Sequence, residues 1–251
     1  MLTSELLAYV FDGQPHLLVE PMETWLVSSR QFTVFVTTFR DKIRKKLRVT
    51  QDEESLLDLR LELETAYLLL QERTLSLDYE PQQAEKVRSP DFAVTFTTSL
   101  TFMLEVTRIR ADLKSLPAEA QEQTSTEAGS SIQVHSGERL VDTICIKLGQ
   151  LLPQRSNVLL IGVDALHLTD NDLRALMLRT QQRAERNEDM FLRYRFRDRS
   201  DFFRHYQRLS EVLVRGLELP AAEPIVTWAN PQAKHPLPGK VRTALYHSHG
   251  G

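Results

Sequence analysis

The sequence predicts an α/β fold with a mixed central sheet, and three observations carry this prediction. Two short runs within residues 92–107 alternate apolar and polar side chains, which is typical of half-buried strands. Residues 55–72 repeat apolar side chains at helical spacing. Residues 157–163, NVLLIGV, are continuously apolar, as expected for a strand that is covered on both faces.

The other elements follow from the same periodicities. A short strand is predicted at 75–80, which ends before Pro81, and a helix at 138–152. Two C-terminal helices are predicted at about 170–186 and 200–215. A last pair of strands is predicted at 225–228 and 240–245.

Residues 1–50 look like a helical extension, chiefly one long helix at about 21–48. Its apolar face follows helical spacing and comprises Trp25, Phe32, Phe35, Val36, Phe39, Ile43 and Leu47. We expect this face to pack on the core, and a homodimer contact through the helix is the alternative. Residues 111–135 are rich in Ser, Thr, Glu, Gln and Ala, which predicts a mobile loop.

The run 89–110, SPDFAVTFTTSLTFMLEVTRIR, places one carboxylate on each of two paired strands. A loop at 97–99 would set Phe92 opposite Leu104, and the same register sets Asp91 opposite Glu105 with their Cβ atoms roughly 5 Å apart. Facing carboxylates repel each other, so the pair needs a cation between the acids or a basic side chain beside them. Two such acids suit Mg²⁺, or the similar Mn²⁺, because these hard cations prefer oxygen ligands.

These residues also resemble the signature of the restriction-endonuclease-like, or PD-(D/E)xK, nucleases. Pro90-Asp91 matches the first half of that signature, and Glu105-Val106-Thr107 matches the second half except that threonine replaces the final lysine. The resemblance implies an αβββαβ core, which would comprise residues 55–110 and 136–245 of a single domain, 1–251. It implies that Asp91 and Glu105 bind the metal and take part in catalysis. Because Thr107 replaces the lysine that orients the attacking water, the fold is implied more firmly than the activity.

Four short segments also resemble uncharacterised bacterial proteins of a divergent branch of the same superfamily. They are Glu62-Leu63-Glu64-Thr65-Ala66, Lys147-Leu148-Gly149-Gln150, Trp228-Ala229-Asn230-Pro231 and His235-Pro236-Leu237-Pro238. In such nucleases a glutamate on the first core helix often adds a third metal contact, and Glu62 is the candidate here; a solvated helix flank is the alternative. The catalytic lysine has migrated in some branches, which makes Lys147 the candidate lysine, against a lysine paired for packing. Gln150 would hold substrate or cap the helix end.

Two basic clusters could contact nucleic acid. The first comprises Arg40, Lys42, Arg44, Lys45, Lys46 and Arg48. The second alternates with aromatic residues, which could stack on bases, and comprises Arg193, Arg195, Arg197, Arg199, Arg204 and Arg208. Solvated faces are the alternative for both clusters.

Composition limits these interpretations. The formal charge of −3 gives no overall attraction to nucleic acid, so any binding must come from local patches. The lone Cys145 excludes an internal disulfide and argues against a zinc–thiolate site. No glycine-rich phosphate loop or GxSxG elbow occurs, which counts against an ATPase and a serine hydrolase. No signal peptide or apolar span is visible, so a cytoplasmic protein without membrane contact is expected.

Three functional classes remain. The first is a Mg²⁺- or Mn²⁺-dependent nuclease. The second is an inactive nuclease-fold module that binds DNA, RNA or a protein partner. The third is an interaction module whose functional surface is the N-terminal helix. Thr107 argues against the first class, and the retained Asp91 and Glu105 argue against the third.

Overall fold

The computed structural model shows a mixed α/β chain and describes residues 2–50, 52–82, 89–109, 128–164, 168–186, 190–217 and 225–249. These residues form two compact units. The first unit comprises the described residues within 1–107 and 238–251, and the second comprises those within 108–219 and 225–237. None of the described helices is long and apolar enough to cross a membrane.

The helices of the first unit are α1 (Thr3–Val10), α2 (Val19–Ser28), α3 (Arg30–Val49), α4 (Glu53–Leu69) and α9 (Gly239–His247). The single helix predicted at 21–48 is therefore two helices. They separate at Ser29, whose backbone is extended and whose hydroxyl accepts a hydrogen bond from the Phe32 amide at 3.2 Å. A serine in this position satisfies a backbone donor at the helix start, so α3 begins as a new helix.

The strands of the first unit are β1 (Leu75–Tyr79), β2 (Phe92–Phe96) and β3 (Leu100–Arg108), and both pairs, β1 with β2 and β2 with β3, are antiparallel. Phe92 pairs with Leu104 across the β2–β3 ladder, which confirms the predicted hairpin and its register. In the β1–β2 ladder Tyr79 pairs with Phe92.

Aromatic side chains form much of the core of the first unit. Phe35 lies 5.7 Å from Tyr79 and 6.4 Å from Phe92 between ring centroids, so α3 packs on this sheet. The predicted apolar face is buried at Trp25, Phe32, Phe35, Val36, Ile43 and Leu47. The prediction that this face packs on the core is confirmed; the homodimer contact stays a prediction.

The second unit contains the strands β4 (Asn157–Val163), β5 (Leu209–Gly216) and β6 (Val226–Ala229). Strand β4 pairs with β5 in parallel, and β5 pairs with β6 antiparallel. Its helices are α5 (Ala128–Leu148), α6 (Asp170–Glu185), α7 (Met190–Arg193) and α8 (Arg199–Tyr206). The apolar faces of β4 and β5 share a buried core with residues of α5 and α8, including Cys145 and Phe202.

Three predicted elements differ from the structure. The predicted helix at 200–215 is wrong in its second half, because α8 ends at Tyr206 and β5 follows. All residues of β5 are buried, as in a strand covered on both faces, and its polar residues obscured that pattern in the sequence. The predicted strand at 240–245 is also wrong, since Val241, Ala244 and Leu245 lie at helical spacing on α9. Helix α5 begins at Ala128 instead of 138, so the loop predicted at 111–135 is wrong from residue 128 onward. Residues 111–127 of that loop lie outside the described residues.

Candidate functional site

Asp91 lies immediately before β2 and is held against β3 by its own side chain. Its Oδ2 accepts a hydrogen bond from the Val106 amide at 2.8 Å, and its carbonyl oxygen accepts one from the Glu80 amide at 2.8 Å. The β2–β3 ladder ends at the pair Phe92–Leu104, one step before Asp91 and Glu105. Glu105 is buried. The hairpin therefore brings both predicted carboxylates to the same end of the ladder.

Glu62 extends this acidic group from helix α4. Its side chain is buried, and both of its carboxylate oxygens accept hydrogen bonds from the Lys46 ammonium, at 2.6 and 2.9 Å. Lys46 belongs to α3, and its Nζ also lies 2.9 Å from Oε1 of Glu80. The site thus combines acids from a helix and a hairpin with one lysine from the N-terminal helices.

Two further groups complete the cluster. Lys42 donates hydrogen bonds to the carbonyl oxygens of Tyr79 and Glu80, at 2.5 and 3.0 Å. The Tyr79 ring lies 5.0 Å from the Lys46 ammonium. The Tyr79 hydroxyl is buried beside Glu62, and burial together with this carboxylate raises the pKa of the hydroxyl.

Burial dominates the electrostatics of this cluster. Burial, followed by the charges of Glu62 and Glu105, raises the pKa of Asp91 to about 7. Burial also raises the pKa of Glu62, although Lys46 opposes this shift. For Lys46, burial lowers the pKa, but the charges of Glu62 and Glu80 outweigh it and raise the pKa above its ordinary value. A carboxyl with a pKa near neutrality can take up or release a proton under physiological conditions.

The remaining predicted site residues lie in different places. Thr107 follows Glu105 by two residues on β3 and is half-buried. Lys147 is in the last turn of α5, and Gln150 follows that helix; both belong to the second unit. The Gln150 amide N–H donates to the Lys147 carbonyl oxygen at 2.9 Å, and its buried Oε1 has no hydrogen-bond partner among the described residues. The roles predicted for Lys147 and Gln150 stay predictions.

The sequence interpretation missed Lys46, Tyr79 and Glu80 as members of this cluster. The sequence places Lys46 only in the first basic cluster. A signal was nevertheless present, because Phe35, Phe39, Lys42 and Lys46 are spaced four, three and four residues apart. This spacing places both lysines in line with the buried Phe35 and the half-buried Phe39 on one helix face.

The donor set fits a hard divalent cation in its chemistry, because carboxylate oxygens are the ligands that Mg²⁺ prefers. However, within the described part of the chain no three acidic, histidine or cysteine side chains are arranged as a ready metal site. The contacts of Glu62 explain part of this arrangement, since both of its oxygens bond to Lys46.

The two basic clusters are partly neutralised by acids of their own units. Arg44 and Arg48 both bond to Asp12 in the first unit. In the second unit, Arg193 bonds to Asp142, and Arg197 and Arg204 lie 3.5 and 3.4 Å from Asp201. Four of the aromatic residues that alternate with these arginines are buried in the core, namely Phe191, Phe196, Phe202 and Tyr206. These four rings cannot stack on bases unless the core opens, whereas Tyr194 and Phe203 are half-buried.

Comparisons of the chain with protein-family models, with curated proteins and with solved structures found no match.

Proposed function

We propose that the first unit carries a divalent-metal-dependent site that hydrolyses nucleic-acid phosphodiesters, with Asp91 and Glu105 as the principal ligands and Glu62 as a third. The observation that supports this proposal is that Asp91 and Glu105 lie at the same end of the β2–β3 ladder, with Glu62 close enough for its charge to act on Asp91. The charges of Glu62 and Glu105, added to burial, raise the pKa of Asp91 to about 7. Neighbouring buried acids destabilise the folded protein when no cation is bound. Acids with pKa values shifted in this way are typical of functional sites.

The chemistry would divide between the bound cation and the side chains. A bound Mg²⁺ or Mn²⁺ would polarise the phosphate and make a coordinated water more acidic. Asp91 is fixed by the Val106 amide through Oδ2, so its Oδ1 has a defined direction for metal binding. Thr107 carries no charge and cannot replace a lysine near the attacking water. The proposal of catalysis therefore needs a basic group other than residue 107; Lys147 belongs to the second unit, and the role predicted for it stays a prediction.

An inactive nuclease-fold module that binds DNA, RNA or a protein partner is the second candidate function. Thr107 favours it, because this position lacks the ammonium that the resemblance would require. Exposed arginines of the second unit could still contact phosphates in such a module.

A cleavage assay on labelled DNA and RNA with Mn²⁺ separates the two functions. We expect the wild-type protein to cut, and we expect Asp91→Asn and Glu105→Gln each to lower the rate by 100-fold or more, as is typical on loss of a general acid–base or electrostatic group, roughly 10²–10⁴. Asp78→Asn is the matched control, since this exposed aspartate of β1 lies outside the cluster. It should cut like the wild type.

Thr107→Lys tests the alternative directly. If the wild type is inactive and Thr107→Lys cuts, the fold holds a competent site from which only the lysine is missing. If neither protein cuts and calorimetry detects no Mn²⁺ binding to the wild type, the nuclease proposal is wrong. A binding module would then be the better description.

A further inference from the structure

The basic run at the end of α3 contains a row of arginines on one helix face. Arg40, Arg44 and Arg48 are spaced four residues apart, which sets them in line at steps of about 6 Å along the helix. Lys42 and Lys46 lie on a different face, where they donate to groups of the acidic cluster. The three arginines therefore form a separate surface, the arginine row.

Tyr9 and Asp41 hold two members of the arginine row in position. The guanidinium carbons of Arg40 and Arg44 lie 5.1 and 4.5 Å from the centre of the Tyr9 ring, within the range of a cation–π contact. The Tyr9 hydroxyl donates a hydrogen bond to Oδ1 of Asp41 at 2.5 Å, which fixes the ring against α3. Two guanidinium groups are thus ordered in advance, which lowers the entropy lost when they bind an anion.

Asp12 occupies the end of the arginine row. Its carboxylate bonds to Arg44, and its two oxygens accept hydrogen bonds from Nε and Nη2 of Arg48 at 2.7 and 2.9 Å. An arginine makes the same bidentate contact with a phosphate. A carboxylate of the protein therefore lies where two guanidinium groups are placed to receive phosphate oxygens.

The contact of Asp12 is exposed enough to be exchanged. The side chains of Asp12 and Arg48 keep 31% and 58% of their surface exposed, and ion pairs in such positions contribute little to stability. The turn that carries Asp12 is set by the backbone, because the Gly13 amide donates to the Ala8 carbonyl oxygen at 2.9 Å. The side chain of Asp12 can therefore leave the arginines while helix α1 stays folded.

We propose that the arginine row binds the phosphates of a nucleic-acid strand, and that Asp12 masks the row as an internal anion that the strand must displace. The length of the row favours a strand over a single phosphate. Its three arginines span about 12 Å, and one strand of a DNA duplex presents a phosphate about every 3.4 Å along the axis. This inference rests on nucleic acid as the partner in the proposed function, but not on a metal or on cleavage.

Fluorescence anisotropy with a short labelled DNA duplex, at one low salt concentration, tests the mask in the full chain. We expect Asp12→Asn to bind the duplex about fivefold or more tightly than the wild type, because two guanidinium groups no longer have to exchange a carboxylate for a phosphate. Asp78→Asn is the matched control, since it removes the same charge from an exposed position of the same unit. We expect it to change the affinity by less than about twofold.

The gain must also depend on the arginines. In an Arg44→Gln/Arg48→Gln background, we expect Asp12→Asn to leave the affinity for the duplex unchanged, because the masked groups are gone. A second measurement keeps the test valid should Asp12→Asn fail to fold. In the wild type, the NMR signals of the Arg48 Nε–H group and of the Asp12 carboxyl carbon should move during titration with the unlabelled duplex.

Competition with polyglutamate separates a nucleic-acid strand from an acidic protein segment. Polyglutamate presents repeated carboxylates on a flexible chain, which must be ordered before it can follow the arginine row. We therefore expect it to displace the labelled duplex less well than unlabelled duplex at the same concentration of charge. Equal displacement would mean that the row binds an acidic protein segment, and the proposed partner would be wrong.

The outcomes also separate this inference from the proposed function. Equal or weaker duplex binding by Asp12→Asn, an equal gain for Asp78→Asn, or Arg48 and Asp12 signals that stay fixed at saturation would each overturn the mask. Tighter binding by Asp12→Asn without any cleavage of nucleic acid would support this inference and contradict the nuclease proposal. Cleavage by the wild type without a gain in affinity for Asp12→Asn would do the opposite.

Discussion

Asp12 lies outside the acidic cluster and forms ion pairs with two arginines of α3. It bonds to the Arg44 guanidinium, and its Oδ2 and Oδ1 accept hydrogen bonds from Nε and Nη2 of Arg48 at 2.7 and 2.9 Å. Hydrogen bonds from Arg48 and then Arg44 lower the pKa of Asp12 from 3.8 to about 2. Two of the three arginines in this basic run are thus committed within the first unit and are less available for nucleic acid.

Replacement of Asp12 by asparagine should make stability depend differently on pH. Because the folded-state pKa is depressed, the stabilisation by Asp12 is fully present above its unfolded-state pKa near 3.8 and is lost as the pH falls toward about 2. Asp12→Asn should therefore be less stable than the wild type at pH 7, and the two proteins should converge near pH 2. Asparagine tolerates the left-handed backbone at this position, where φ is 55°, so the change reports mainly on charge. Urea unfolding at several pH values measures the difference.

A double-mutant cycle checks the cause of this pH dependence. In an Arg44→Gln/Arg48→Gln background, Asp12→Asn should have no pH-dependent effect, since the donors that depress the pKa are absent. A persistent difference between pH 7 and pH 2 in that background would show that another interaction is responsible.

At the scale of elements, the sequence correctly predicts the helices and strands whose apolar pattern is not interrupted by polar residues. Strand β4 lies at 157–163 as predicted, because its apolar run is continuous, and the hairpin register follows from strict alternation in β2 and β3. The sequence predicts helix for the segment of β5 because Ser210, Glu211 and Arg215 interrupt its apolar pattern. In the structure all three are buried. The break between α2 and α3 depends on one serine that caps a helix, which periodicity alone does not reveal.

The candidate site was predictable to the extent that its residues share one hairpin. Asp91 and Glu105 follow from strand alternation, whereas Glu62 follows from the resemblance, which implies a glutamate on the first core helix. Lys46 and Tyr79 depend on the packing of α3 against the β1–β2 pair, which brings together residues far apart in sequence. No local pattern encodes that packing, even though the helical spacing places Lys46 near the buried face.

Asn157 ties the start of β4 to its neighbouring segments. Its side-chain amide donates to the carbonyl oxygens of Leu152, Arg155 and Arg208 at 2.9, 3.0 and 3.0 Å, and its Oδ1 accepts from the Leu152 amide at 3.1 Å. Asn157→Ala would remove the partner of each of these backbone groups. The two hydrogen bonds with Leu152 are buried, so water cannot replace the lost contacts there. We expect a loss of about 2–3 kcal/mol in the free energy of unfolding, measured by urea denaturation.

The matched control for Asn157 is Asn171→Ala on α6, an exposed asparagine of the same unit. It removes the same atoms, and we expect a change within about 0.5 kcal/mol. Similar losses for both variants would contradict the view that the hydrogen bonds of Asn157 stabilise the start of β4.

At the scale of the whole molecule, charge restricts how the protein can meet nucleic acid. The formal net charge of −3 gives no general attraction, so binding must be local. Of the predicted contacts, Arg208 is engaged with the Leu151 carbonyl oxygen at 3.2 Å, and Arg193 is engaged with Asp142. Arg195 is exposed in the same segment, and so is Arg197, although its guanidinium lies 3.5 Å from Asp201. If the second unit binds nucleic acid, these two arginines are its best phosphate contacts.

The salt dependence of DNA binding tests this assignment. We expect the wild type to bind single-stranded DNA weakly, and we expect Arg195→Gln/Arg197→Gln to lower the slope of log affinity against log salt by about one for each arginine removed. Arg174→Gln/Arg179→Gln is the matched control, because it removes the same charge from exposed positions of α6 in the same unit. An equal decrease in both variants would mean that only net charge matters. A wild type without measurable binding would remove nucleic acid as a partner of this surface, and any cleavage would then depend on contacts within the first unit.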